Sequence, residues 1–202
     1  MQLFETMRLE SGLFPRISYH KKRMKNASEQ LGFLFDDSTW SELIISISEQ
    51  YATGVYRIKI LLNKDGTMHY VAAPLPEKST FTAKLLPLSA DVNNQVIVHK
   101  TTQREHLEHN HQTDIVLLYN EEGKVLEFDI GNIMIREGGY YYTPFYNEDF
   151  LCGCMRQELL DKGELIEKDY DIHELKDKIS SNMIQIFLIN SLREVAEVEI
   201  YL

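Results

Sequence analysis

Val96-Ile97-Val98-His99-Lys100-Thr101-Thr102-Gln103-Arg104-Glu105 is the stretch on which the fold turns. The apolar triplet reads as a short buried strand, and Glu105 to His109 as a short helix. Lys100 would then sit at a strand-to-helix junction, where an amine can be held for covalent work on a carbonyl. A surface lysine among polar neighbours is the plain alternative, and the rest of the chain decides between them.

Before this stretch, Phe4 to Glu10 reads as a strand with a turn at Ser11-Gly12. Ser18 is placed to cap a helix running to about Leu31, with His20, Met24, Ala27 and Leu31 on one face and Gly32 as its stop. A second helix starts near Ser38, where Thr39 and Glu42 have capping-box spacing. Val55 to Asn63 and Thr67 to Ala73 form a hairpin around Asn63-Lys64-Asp65-Gly66. The prolines of residues 74–79 break the ladder, and Phe81 to Leu88 resumes it. Ala90 to Asn94 is polar and turn-like. It marks the expected boundary between a smaller domain, 1–90, and a larger one, 91–202.

After Lys100, strands are expected at Ile115–Tyr119, Val125–Glu127, Asn132–Arg136, Tyr140–Thr143, Leu165–Lys168, Met183–Ile189 and Ala196–Tyr201. The tyrosine run suggests a strand packed on both faces. Helices are expected from Gly153 to about Lys162 and from Ile172 to Lys178. Many short strands with a few helices argue a mixed α+β fold.

Composition narrows the function classes. The net charge is -10 over 202 residues, a balance that repels phosphate backbones and argues against nucleic acid as a partner. No apolar run approaches the roughly 18 residues of a membrane helix, and no secretory signal pattern opens the chain. Cys152 and Cys154 are too close to bridge, so reduced thiols in the cytoplasm are expected. His99, His106, His109 and His111 lack the spacing and carboxylate company of a zinc site, and no metal is expected.

Four features surround the lysine in order. His20-Lys21-Lys22-Arg23-Met24 lies on the first helix. Glu127 sits in Val125-Leu126-Glu127-Phe128-Asp129-Ile130-Gly131-Asn132. Gly153-Cys154-Met155-Arg156-Gln157 opens a helix, and Asn190-Ser191-Leu192-Arg193 ends a buried strand. With Phe4-Glu5-Thr6-Met7-Arg8 and Tyr56-Arg57-Ile58-Lys59-Ile60-Leu61-Leu62, this set resembles the class IV (fold type IV) pyridoxal-phosphate aminotransferase family. Within that family it is most similar to the aminodeoxychorismate lyase branch, including lyase domains fused to aminodeoxychorismate synthase. The resemblance spans nearly the whole chain.

The resemblance implies a two-domain, D-amino acid aminotransferase-like fold, with pyridoxal 5'-phosphate in the cleft between the domains, and a homodimer. Lys100 would form the Schiff base and then act as base and acid at the substrate α-carbon. Glu127 would keep the pyridine nitrogen protonated; otherwise it is a strand-end glutamate facing water. Gly153, Cys154 and Met155 would hold the phosphate at a helix start, with Asn190 and Ser191 as a second phosphate-side turn. Arg23 matches a phosphate arginine and is otherwise a solvated helix charge. Arg57 meets a substrate carboxylate or pairs with an acid across the sheet. Two departures stand out: the Lys100 to Glu127 segment is short for the family, and a tight turn replaces the glycine-rich loop after Leu62.

The implied reaction is conversion of 4-amino-4-deoxychorismate to 4-aminobenzoate and pyruvate, in the folate pathway. Two alternatives stay open: a class IV aminotransferase acting on a small amino substrate of the branched-chain or D-amino acid type, and a protein that binds the cofactor without turnover.

Overall fold

A computed structural model describes residues 1–89, 91–110 and 112–202. The chain divides into two compact units. One is Met1–Glu77 with His99–Gln103, and the other is Lys78–Val98 with Arg104–Leu202. The division falls at Glu77/Lys78 rather than near residue 90, and the lysine-bearing segment returns to the first unit. The prolines that follow Ala73 are the physical break, because Pro76 has no N–H to continue a ladder.

In the first unit, β1 (Leu3–Glu10), β2 (Val55–Leu62) and β3 (Met68–Pro74) form an antiparallel sheet in the order β1-β2-β3. β1 alternates cleanly: Leu3, Met7 and Leu9 are buried, and they lie opposite Leu62, Ile58 and Tyr56. That face packs on α1 (Ile17–Leu31) and α2 (Asp37–Gln50) through Met24, Ala27, Trp40 and Ile47. Gly32 ends α1 at φ 69°, a left-handed position that glycine adopts at little cost. Two starts differ from expectation. Arg16, not Ser18, occupies the N-cap of α1. Asp36 caps α2 by accepting from the Thr39 N–H at 2.6 Å, so the turn begins earlier than the Thr39/Glu42 spacing implies.

The second unit holds β4 (Thr80–Pro87), β5 (Ile115–Tyr119), β6 (Val125–Phe128), β7 (Gly131–Glu137), β8 (Tyr140–Thr143), β9 (Ile166–Glu167), β10 (Ile184–Asn190) and β11 (Glu194–Tyr201). Strand order is β10-β11-β4-β5-β6-β7-β8-β9, and β10 also pairs with β7. The ladder from β10 round to β7 therefore closes on itself, removing the sheet edges there. Phe81, Ala83, Leu117, Phe128, Ile133, Ile135, Ile186, Leu188 and Val198 belong to one buried core, joined by Ile172 and Leu175 of α5 (Ile172–Ser180). α4 (Cys154–Asp161) packs separately, with Met155 in a cluster with Met134 of β7 and Ile189 of β10.

Three local expectations fail. Val96-Ile97-Val98 is not a strand but the end of a helix, α3 (Asn94–Val98). The Asn93 side chain accepts from the Gln95 N–H at 2.9 Å, and the Asn93 carbonyl accepts from the Val96 N–H at 2.9 Å. This local turn captures a triplet too short for period to decide. The helix expected over Glu105 to His109 shrinks to a 3-10 turn at Glu105–Leu107. β8 is not packed on both faces, since Tyr140 and Tyr141 are exposed. Among the described helices, none is long and apolar enough to cross a membrane.

Candidate active site

Lys100 does not hang from a strand end; it is tied to one. The Phe4 N–H donates to the Lys100 carbonyl at 3.0 Å, and Leu3 forms an antiparallel bridge with Thr101. The Thr102 N–H donates to the Gln2 carbonyl at 2.9 Å, and the Gln2 N–H donates back to Thr102 Oγ1 at 3.0 Å. Residues 100–102 thus extend the sheet at the start of β1. The Lys100 side chain is half-buried, with Nζ 4.9 Å from the centre of the Phe4 ring.

Arg23 is occupied. Its Nε donates to Glu5 Oε1 at 2.8 Å, and its guanidinium meets Glu5 Oε2 at 2.5 Å. His20 Nδ1 donates to the same Oε2 at 2.7 Å. Glu5 lies on the apolar face of β1, 1% exposed. Burial alone would raise its pKa, but the Arg23 charge and then His20 bring it down to about 2. Burial pushes His20 below the ordinary imidazole value, Glu5 opposes that, and the Arg23 and Lys100 charges add to it. Neutral pH therefore holds an ionised Glu5, a charged Arg23 and a neutral His20. The Glu5 role was missed in sequence. Its signal was available: a glutamate at an apolar position of an alternating strand.

Arg57 lies on the opposite face of the same sheet and is exposed. Its register partners are Arg8 and Ala73, not an acid. Arg8 itself pairs with Glu10. Lys59, two residues along, places Nζ 4.4 Å from the Phe4 ring centre. This face gathers Arg8, Arg57, Lys59 and Phe4, a cationic surface of which sequence reasoning named only Arg57.

In the second unit, Glu127, Asn132 and Gly153 form one network. Glu127 is 4% exposed and lies opposite Asn132 in the β6–β7 hairpin. Glu127 Oε1 accepts from the Leu151 N–H at 3.0 Å, and Oε2 accepts from Asn132 Nδ2 at 3.4 Å. Asn132 Nδ2 also donates to the Leu151 carbonyl at 2.9 Å, and its Oδ1 accepts from the Gly153 N–H at 2.9 Å. A Cβ at position 153 would lie 2.1 Å from that Oδ1, so any larger residue would have to push the Asn132 amide aside. Gly153 offers α4 no side-chain cap, and the first turn, with Cys154 and Met155 both buried, carries the positive end of the helix dipole.

Asn190 works in its own turn. Its Oδ1 accepts from the N–H groups of Leu192 at 3.0 Å and Arg193 at 2.8 Å, and its Nδ2 donates to the Ile130 carbonyl at 3.2 Å. Ser191 is buried within that turn. Of the histidines considered for metal, His109 faces Asp129 at 3.4 Å, His106 is in the 3-10 turn, and His111 lies outside the described residues.

Residues 2–201 match the model of the class IV amino-transferase family. A candidate aminodeoxychorismate lyase of Schizosaccharomyces pombe is 30% identical over 206 residues, covering 96% of this chain and 87% of that protein. The crystal structure of a candidate amino-acid aminotransferase from Mesorhizobium loti superimposes with a TM-score of 0.86 at 28% identity, covering 99% of each chain. A candidate 4-amino-4-deoxychorismate lyase from Haemophilus somnus shares the fold at a TM-score of 0.79 and 22% identity, covering 96% of this chain and 97% of that one. A match over nearly every residue places this chain in the class IV aminotransferase family, and with it among the pyridoxal-phosphate-dependent enzymes.

Proposed function

We propose that the protein is a 4-amino-4-deoxychorismate lyase, releasing 4-aminobenzoate and pyruvate, with Lys100 as its catalytic amine. The observation that carries this is the backbone stitching of Lys100 to β1, which fixes a half-buried amine at a sheet edge. The 30% identity to the Schizosaccharomyces pombe protein supports lyase chemistry over nearly the full chain. The donor set fits the cofactor: a primary amine, a buried carboxylate held by two donors, and a helix start opened by a closely approached glycine.

When bound, pyridoxal phosphate accepts the electron pair left as the substrate C–H bond breaks. Lys100 Nζ is the group that carries the cofactor aldehyde and then moves the proton at the substrate carbon. Glu127 holds a proton on the pyridine nitrogen, oriented by Leu151 and Asn132. Gly153, Cys154 and Met155 present main-chain N–H groups to the phosphate, and the Asn190–Ser191 turn flanks it. Arg23, oriented by the Glu5 carboxylate, is assigned to the phosphate, as the family resemblance implies. Arg57 takes a substrate carboxylate from the exposed face of its sheet. We place the protein in the cytoplasm as a homodimer.

Transamination of an amino acid is the second reading, favoured by the Mesorhizobium loti structure. Incubation with aminodeoxychorismate in one tube, and with amino acid plus 2-oxoglutarate in another, separates the two. Product in the second tube alone overturns the lyase assignment. Lys100→Ala should abolish the cofactor's visible band and lower turnover at least about a hundredfold. Borohydride reduction of the holoenzyme should place the cofactor on the peptide containing Lys100.

A further inference from the structure

Two ammonium groups share one aromatic ring. Lys100 Nζ lies 4.9 Å from the centre of the Phe4 ring, and Lys59 Nζ lies 4.4 Å from it. Both are within the roughly 6 Å at which a ring's π-face attracts a cation. Phe4 also holds Lys100 by the main chain, since its N–H donates to the Lys100 carbonyl at 3.0 Å. Lys59 reaches the ring from β2, where it stands two residues from Leu61, the register partner of Phe4. Among the described groups of the first unit, His20 on α1, which bonds Glu5 on β1, also faces this amine. The Lys100 charge is one of those felt at His20.

An amine must shed a proton before it can attack an aldehyde. A π-face favours the ammonium form, while a neighbouring cation disfavours it. We propose that Phe4 and Lys59 are positioning residues for Lys100: the ring seats the ammonium, and the Lys59 charge loosens its proton. Because Phe4 grips both the main chain and the side chain, the lysine is fixed in place before any substrate arrives. This inference rests on the assignment of Lys100 as the catalytic amine.

The test uses the full chain freed of cofactor. Reductive methylation by formaldehyde and cyanoborohydride, read at Lys100 by peptide mass spectrometry across pH, gives the midpoint at which the amine becomes reactive. Phe4→Leu should raise the proton's lability, moving the midpoint down by roughly half a pH unit, and Lys59→Gln should move it up by a similar amount. Phe4→Tyr keeps a ring and should restore the parent midpoint. A purely structural role would move neither midpoint. If either substitution leaves it in place, or both move it the same way, the proposal is overturned. Should Phe4→Leu fail to fold, the Lys59→Gln and Phe4→Tyr arms still decide. Borohydride mapping of the holoenzyme tests the catalytic assignment separately, so the two failures are distinguishable.

Discussion

Glu5 is an ionised carboxylate on the core face of β1. It is a buried carboxylate bound by a fork of Arg23 and by His20. Glu5→Gln removes the buried carboxylate charge that the half-buried Arg23 pairs with, and breaking such a pair costs about 3–5 kcal/mol. Urea unfolding should show it as a lowered midpoint at unchanged slope. Gly153→Ala is the matching test in the second unit. Its methyl would displace the Asn132 amide that orients Glu127. We expect weaker cofactor retention and a stability loss of about 1–3 kcal/mol, measured by dialysis against buffer and by thermal melting.

At the scale of elements, caps and close approaches decide. Asp36→Ala removes the acceptor for the Thr39 N–H and should destabilise the start of α2, seen as a lowered melting temperature. The closure of the second sheet is more sensitive. A Cβ on Gly131 would lie 2.7 Å from the Ile189 carbonyl, where β7 begins its pairing with β10. Strand positions were legible where apolar residues alternate, as in β1, or run together between turns, as in β5; β1, β2, β5 and β7 fall within a residue or two of expectation. Val96-Ile97-Val98 was misread because the deciding contact is an asparagine three residues upstream, which a hydrophobic pattern does not register. The candidate site residues of the second unit stand in recognisable motifs, but the contacts that support them do not show in sequence. The Asn132 amide bridges Glu127 and Gly153 through a hairpin register that no local pattern encodes. Arg23 was visible as a helix cation, whereas its pairing with Glu5 depends on α1 crossing the core face of β1.

For the whole molecule, acid is the expected route to unfolding. Glu5 has a folded pKa of about 2 against an ordinary 4.5, so the unfolded chain binds the extra proton first. Its stabilisation, on the order of 3 kcal/mol, is complete above pH 4.5 and fades as pH falls toward 2. His20 has the same sign, because its folded pKa is also depressed. Its share begins to fade earlier, once pH drops below 6.5. Stability measured by urea at fixed pH should therefore decline in two stages on acidification, and Glu5→Gln should shrink the lower one, which Glu137 and Asp36 share. A variant whose stability remains flat from pH 7 to 3 would contradict this assignment.

Because Gln2, Leu3 and Phe4 grip residues 100–102 directly, the segment that leads into β1 helps to hold the lysine proposed as catalytic. By the same token, a gene split between residues 77 and 78 would deliver the lysine on the wrong half, and complementation would require a loop of the second fragment to find its edge on the first.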